Sequence, residues 1–120
     1  MTKILNLTQH IGTEAQASEG VFEPQNKVAI QKLLTFETLP TKEEVIARAE
    51  ALAKIAEDEG APSAMVGGAP YLMGALEKAL KQRGIQPLYA FSVRESVEET
   101  LPTGEVIKKN VFRHLGFVEV

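Results

Sequence analysis

The chain has 120 residues, 44% of them hydrophobic and 24% charged, enough for one domain, 1–120, whose core needs no metal or disulfide staple. It contains no cysteine, which excludes cysteine-ligated zinc, iron–sulfur clusters, thiol catalysis and a disulfide scaffold. A net charge of -3 argues against a coat for duplex DNA or RNA, but not against one small anion-binding pocket. No apolar run approaches the ~20 residues of a membrane span, and MTKILNLTQH lacks the pattern of a signal peptide, so a cytoplasmic location is expected.

The periodicity is that of an α/β chain. Lys3 to Leu7 reads as a first strand, with Thr8, Gln9 and His10 in its exit loop. Thr13 to Ser18 reads as one helical turn, and Val21 and Phe22 as a strand stub. Gln25 to Phe36 reads as a helix carrying Val28, Ala29, Leu33 and Phe36. Thr41-Lys42-Glu43-Glu44 matches a capping box. The helix it opens sets Val45, Ala49, Leu52, Ala53 and Ala56 on one stripe, with Glu44–Arg48 and Glu50–Lys54 as i,i+4 pairs and Gly60 as its stop. Ser63 to Val66 is a buried-strand pattern. Gly67-Gly68-Ala69-Pro70 turns sharply into a helix with Leu72, Met73, Leu76, Ala79 and Leu80 inward, ending at Arg83-Gly84. Gln86 to Ser92 is a further strand. Val93 to Leu101 and Val106 to Val118 flank Pro102-Thr103-Gly104 and read as a hairpin, in a register with Lys108 opposite Glu98 and Phe112 opposite Arg94.

Right-handed crossovers then predict a small Rossmann-like three-layer domain. Its sheet is mostly parallel in the order 2-1-3-4, with a C-terminal antiparallel hairpin strand at the edge. Such sheets bind ligands outside the carboxyl ends of their strands, at the switch point between strands one and three. Three polar segments should meet there: Thr8-Gln9-His10, Gly67-Gly68-Ala69 and Ser92-Val93-Arg94-Glu95.

Each segment has a functional and a plainer reading. The glycines and the helix start behind them suit a phosphate, or are only a tight turn that needs positive φ. Ser92 and Arg94 share a strand face, and Arg94 either forks onto phosphate or pairs with Glu95, Glu98 or Glu99. His10 is a ligand-binding or acid–base group, or a surface residue. His114, across from Ser92, joins the site or caps the sheet edge. Tyr71 stacks on a base or packs in the core. Lys108, Lys109 and Arg113 contact a phosphate backbone or guard an edge strand from aggregation. No cluster has metal-ligand spacing, so no cofactor is expected.

Four segments together resemble a family. They are Ile4 to His10 with Thr13 and Gln16; Gly67 to Met73; Ile85 to Glu95, similar to an I-x-P-x-Y-A-x-x-x-R strand; and Gly104 through Val111 to Phe117, with its Phe-x-His. They are similar to small stand-alone CRISPR-associated Rossmann fold (CARF) proteins of the Csx group, some of them ring nucleases for cyclic oligoadenylates. Thr8-Gln9-His10 stands where that family often has Ser-His, and the central turn lacks the family's acidic residue. The Asn6 to His10 opening also resembles small proteins of Mu-like prophages.

The resemblance implies a metal-independent ring nuclease that regulates type III CRISPR signalling. Its ribose 2′-OH would attack the adjacent phosphate and leave a 2′,3′-cyclic phosphate end. His10, Arg94 and Ser92 would be catalytic. Thr8, Gln9, Gly67, Gly68, Ala69, Tyr71, His114 and Lys108 would bind the ligand, cyclic tetra-adenylate before other rings. A two-fold cyclic ligand implies a homodimer, with no duplex DNA and no membrane as partner. The alternative is a non-catalytic sensor, or a phage-encoded sponge or accessory protein.

Overall fold

Ile4, Leu5, Asn6 and Leu7 are buried along their whole length, because this segment forms an inner strand covered on both faces. The computed structural model describes residues 3–120. Its elements are β1 (Ile4–Leu7), α1 (Glu14–Ser18), β2 (Val21–Phe22), α2 (Lys27–Leu34), α3 (Lys42–Asp58), β3 (Ser63–Val66), α4 (Pro70–Gln82), β4 (Gln86–Thr100) and β5 (Val106–Glu119). They form a mixed α/β fold around one five-stranded sheet, in the order β2-β1-β3-β4-β5. The first four strands are parallel, and β5 runs antiparallel to β4.

Alternation along β1 sends Leu5 and Leu7 to one face and Ile4 and Asn6 to the other. Leu5 and Leu7 join the main core with Ile30 and Leu34 of α2, the alanine-rich stripe of α3, and Leu72, Leu76 and Leu80 of α4. Ile4 joins Val21, Met65 and Leu88 in a smaller cluster, against which Phe117 packs. The stripes expected on α3 and α4 face inward. Ala49, Leu52, Ala53 and Ala56 are buried on the first, as are all five expected residues of the second, while Val45 is half-buried.

Several local expectations are corrected. The second helix spans Lys27–Leu34 and buries Ile30 and Leu34; Val28 faces solvent and Phe36 lies beyond its end. Thr41 caps α3 by accepting from the Glu44 backbone N–H, whereas the Glu44 carboxylate turns to Arg48 at 2.9 Å. Glu50 and Lys54 do not pair. Glu50 takes Arg83 from the end of α4 at 2.8 Å, and Lys54 takes Asp58 at 2.7 Å. Arg83 offers a tie between two packed helices, which a pair on one helix cannot.

β4 outruns its parallel neighbour. It pairs with β3 only over Gln86–Leu88, then continues with β5 alone as a two-stranded arm. The register is the expected one, with Glu98 opposite Lys108, Arg94 opposite Phe112 and Ser92 opposite His114. Phe91 pairs with Gly116 and Ser92 with His114, so Leu115 has no partner and forms a β-bulge. The arm lengthens the molecule: the radius of gyration is 16.9 Å, against about 14 Å for a compact chain of this size.

The core and the arm should therefore respond differently to truncation. Leu76→Ala should cost about 2–5 kcal/mol of unfolding free energy in denaturant titration. Phe112→Ser, at an arm position 72% exposed, should stay within about 0.5 kcal/mol.

Candidate functional site

The β1 exit loop is shaped by one buried side chain. Asn6 is fully buried and points from an otherwise aliphatic strand. Its Oδ1 accepts from the Thr8 backbone N–H at 2.9 Å and from the Thr8 hydroxyl at 2.7 Å. Its Nδ2 donates to the His10 carbonyl at 2.7 Å and to the Glu23 carboxylate at 3.0 and 3.1 Å. Glu23 also accepts from the Gly12 N–H at 3.0 Å and pairs with Lys27 at 3.2 Å. Lys27 in turn donates to the His10 carbonyl at 3.0 Å. Burial raises the Glu23 pKa, but the hydrogen bonds from Asn6, Gly12 and Lys27 outweigh it, and the carboxyl is held below its usual 4.5.

This loop forms one wall of a cleft of about 490 Å³ at the carboxyl ends of β1, β3 and β4. β2 and β3 lie on opposite sides of β1, so the cleft opens where the strand order reverses. Thr8, Gln9, His10, Gly67 and Gly68 all line it. Their roles differ. The Thr8 hydroxyl is spent on Asn6. The Gln9 side-chain amide donates to the Thr35 hydroxyl at 3.0 Å, while the Gln9 backbone carbonyl accepts from the Gln31 side-chain amide at 3.1 Å, which ties the loop to α2. His10 is exposed at the rim.

The opposite wall is the turn into α4. Ala69 is the N-cap and has no side chain able to cap, and Pro70 follows at the first helical position. Ala69, expected to bind the ligand, packs against the main core instead of lining the cleft, and its carbonyl accepts from the Leu72 and Met73 N–H groups at 2.9 and 3.2 Å. Gly68 sits at φ +155°, and a Cβ on it would lie 3.4 Å from the Met73 methyl. That backbone conformation favours glycine.

The remaining expected site residues lie elsewhere. Ser92 and Arg94 stand on the exposed arm, beyond Tyr89 and Ala90, the last β4 residues of the cleft wall. The Arg94 guanidinium lies 5.8 Å from the centre of the Phe112 ring. Tyr71, 55% exposed, packs edge-on against Phe36 at 5.3 Å and lines a different groove, with Leu39, Pro40 and Val45. Lys108 is exposed on the arm. The His114 side chain is 4% exposed and packs edge-on to Phe117 at 4.9 Å. Its Nε2 is 3.0 Å from a Glu19 carboxylate oxygen, but neither ring nitrogen meets hydrogen-bond geometry. Ser92, Arg94, Lys108 and His114 lie outside the cleft lining because β4 and β5 run on past the cleft wall as a two-stranded arm.

Sequence reasoning missed Asn6, Glu23, Lys27 and Tyr89. The signal for Asn6 was present: an amide inside Ile-Leu-Asn-Leu needs partners on folding. The Tyr89 hydroxyl donates to Glu77 on α4 at 2.6 Å; burial and that carboxylate raise its pKa, so it stays a neutral donor.

A family model described as the Uncharacterized protein MJ1673 family matches residues 2–118. No curated protein and no solved structure matches the chain.

Two outcomes follow from the Asn6 network. Asn6→Ala should cost about 1–3 kcal/mol in denaturant titration, because it strands the groups it satisfied. Glu23 stabilises the fold fully above pH 4.5 and loses that contribution as pH falls through its lower folded value. Glu23→Gln should therefore flatten the acid limb of the thermal midpoint, scanned from about pH 6 to about pH 3.

Proposed function

The chain belongs to the MJ1673 family, and from its cleft we propose that it is a nucleotide-binding protein of Rossmann-like fold that takes up a cyclic oligoadenylate. The observation that carries this reading is the meeting of the β1 exit loop and the Gly67-Gly68 turn, which leads into α4, in one cleft at the strand-order reversal. Parallel sheets of this kind receive ligands there, and a helix start receives phosphate. The ligand class comes from the resemblance of the four sequence segments. A cleft of about 490 Å³ falls within the range of small-molecule pockets, about 300–1,000 Å³. It suits one or two nucleotides, so a four-nucleotide ring would bridge two clefts. A cytoplasmic location goes with this reading.

Binding without cleavage is favoured over ring opening, because of the three catalytic candidates only His10 lines the cleft. Ring opening is the second reading, supported by the exposed imidazole at the rim. There a ribose 2′-OH would attack its adjacent phosphorus and the ring P–O5′ bond would break. His10 would take the 2′-OH proton, or return one to the 5′ oxygen.

Incubation with cyclic tetra-adenylate in EDTA, followed by chromatography and mass spectrometry, separates the readings. Intact ligand that co-elutes with the protein, and is lost with Gly67→Val, is the expected result. Saturating ligand should also raise stability, by about 2.7 kcal/mol at 100 times Kd. Linear products with 2′,3′-cyclic phosphate ends, abolished by His10→Ala but not by Arg94→Ala, would establish ring opening. Intact ligand that neither co-elutes nor shifts the midpoint would overturn both.

A further inference from the structure

The cleft offers a ligand neutral polar groups, and two of these are held in fixed orientations. Among the described residues, no Lys, Arg, Asp or Glu lines it. Lys27 reaches the exit loop, but Glu23 and the His10 carbonyl take its ammonium at 3.2 and 3.0 Å. His10 stands at the exposed rim, and the raised pKa of Tyr89 keeps that hydroxyl protonated. A phosphate drawn inside would lose its water without gaining a paired cation, which is costly. The inner lining is instead apolar, and Met65, Val66 and Tyr89 supply it.

Gln9, in the exit loop, and Gln16, on α1, line the same cleft. The Thr35 hydroxyl gives its one proton to the Gln31 carbonyl at 2.8 Å, so it can only accept from Gln9. The Gln9 Nε2 is fixed there, which leaves its Oε1 as an acceptor for a ligand. Gln16 is fixed in the opposite sense. Its Oε1 accepts from the Thr13 N–H at 3.0 Å within the α1 capping box, which leaves its Nε2 as a donor for a ligand. A neutral ring that both donates and accepts at its edge satisfies both amides, and adenine does so through its 6-amino group and ring nitrogens. We propose that the cleft is a base subsite: an uncharged adenine enters it, with the Gln16 Nε2 donating to the ring and the Gln9 Oε1 accepting from it. The phosphates stay outside, beside the exposed Gly68 and in solvent. The choice of adenine rests on the oligoadenylate reading; the exclusion of charge does not.

Calorimetric titration of the full chain tests this, with adenosine, inosine, inorganic phosphate and cyclic tetra-adenylate as probes. Adenosine should bind with a Kd that moves less than about twofold between about 0.05 and about 0.5 M salt, because no phosphate contact carries it. Inosine, which puts an acceptor where Gln9 needs a donor, should bind at least about tenfold more weakly. Phosphate should give no heat and should not displace adenosine. Gln16→Glu keeps the cap, since a carboxylate oxygen also accepts from the Thr13 N–H, and removes the donor. It should hold the thermal midpoint and weaken adenosine at least about tenfold. Adenosine carries no phosphate for the new charge to repel. A ring that binds while adenosine does not, phosphate that displaces adenosine, inosine that binds as well as adenosine, or a Gln16→Glu chain that binds adenosine like wild type would each overturn the base subsite and leave uptake of the ring standing. Adenosine that binds while the ring does not would uphold the subsite and overturn the oligoadenylate reading. No binding of either would overturn both.

Discussion

A buried amide cannot be left without partners, and Asn6 carries two donor hydrogens and an acceptor oxygen into the most enclosed strand of the sheet. Water cannot reach it. The chain leaving β1 therefore doubles back, so that Thr8 and the His10 carbonyl close on it within four residues. Glu23, from just past β2, completes the set and draws in Gly12 and Lys27. The cleft wall is in this sense the hydrogen-bonding shell of one side chain. The rim position of His10 is set through its own backbone carbonyl, so its imidazole is left to face outward.

The periodic elements were legible because each buries a stripe at its own repeat. The α3 and α4 stripes, the Val21–Phe22 stub, the Gly60 stop and the hairpin register all follow from spacing and turn chemistry. Pairing among exposed charges was legible only in part: Glu44 and Arg48 pair as expected, Glu50 and Lys54 do not. Several carboxylates lie within reach of each cation, and tertiary neighbours such as Arg83 compete with helix neighbours for Glu50. The α2 face was legible in part: Leu33 and Phe36 pack against the core, whereas Val28 faces solvent and Ile30 and Leu34 are the buried residues, because the segment holds apolar residues on more than one side.

The cleft was half legible. Residues that leave a strand directly, Thr8 to His10 and Gly67-Gly68, stand where the topology sets them. Ser92 and Arg94 were assigned to the same edge on the assumption that β4 ends with its neighbours. It runs on through Thr100, so the sheet edge and the strand end are different places. His114 illustrates a second limit: the residue opposite it was foreseen, but its burial beside Phe117 and Glu19 depends on the bulge. The body thus frames the cleft, while the arm leaves Phe91, Phe112 and Val106 exposed.

The order of strands also dictates an order of events during synthesis. β1 is made first, yet its partner on the inner side, β3, begins only at Ser63. The two-residue β2 covers its other edge sooner, but over Ile4 and Leu5 alone. Closing so long a loop is entropically costly before any core contact rewards it. An aliphatic segment with a hydrated amide at its centre must therefore wait, exposed, until β3 has left the ribosome. The arm, whose two strands meet across a short turn, is made after the other elements and needs no such long loop to close.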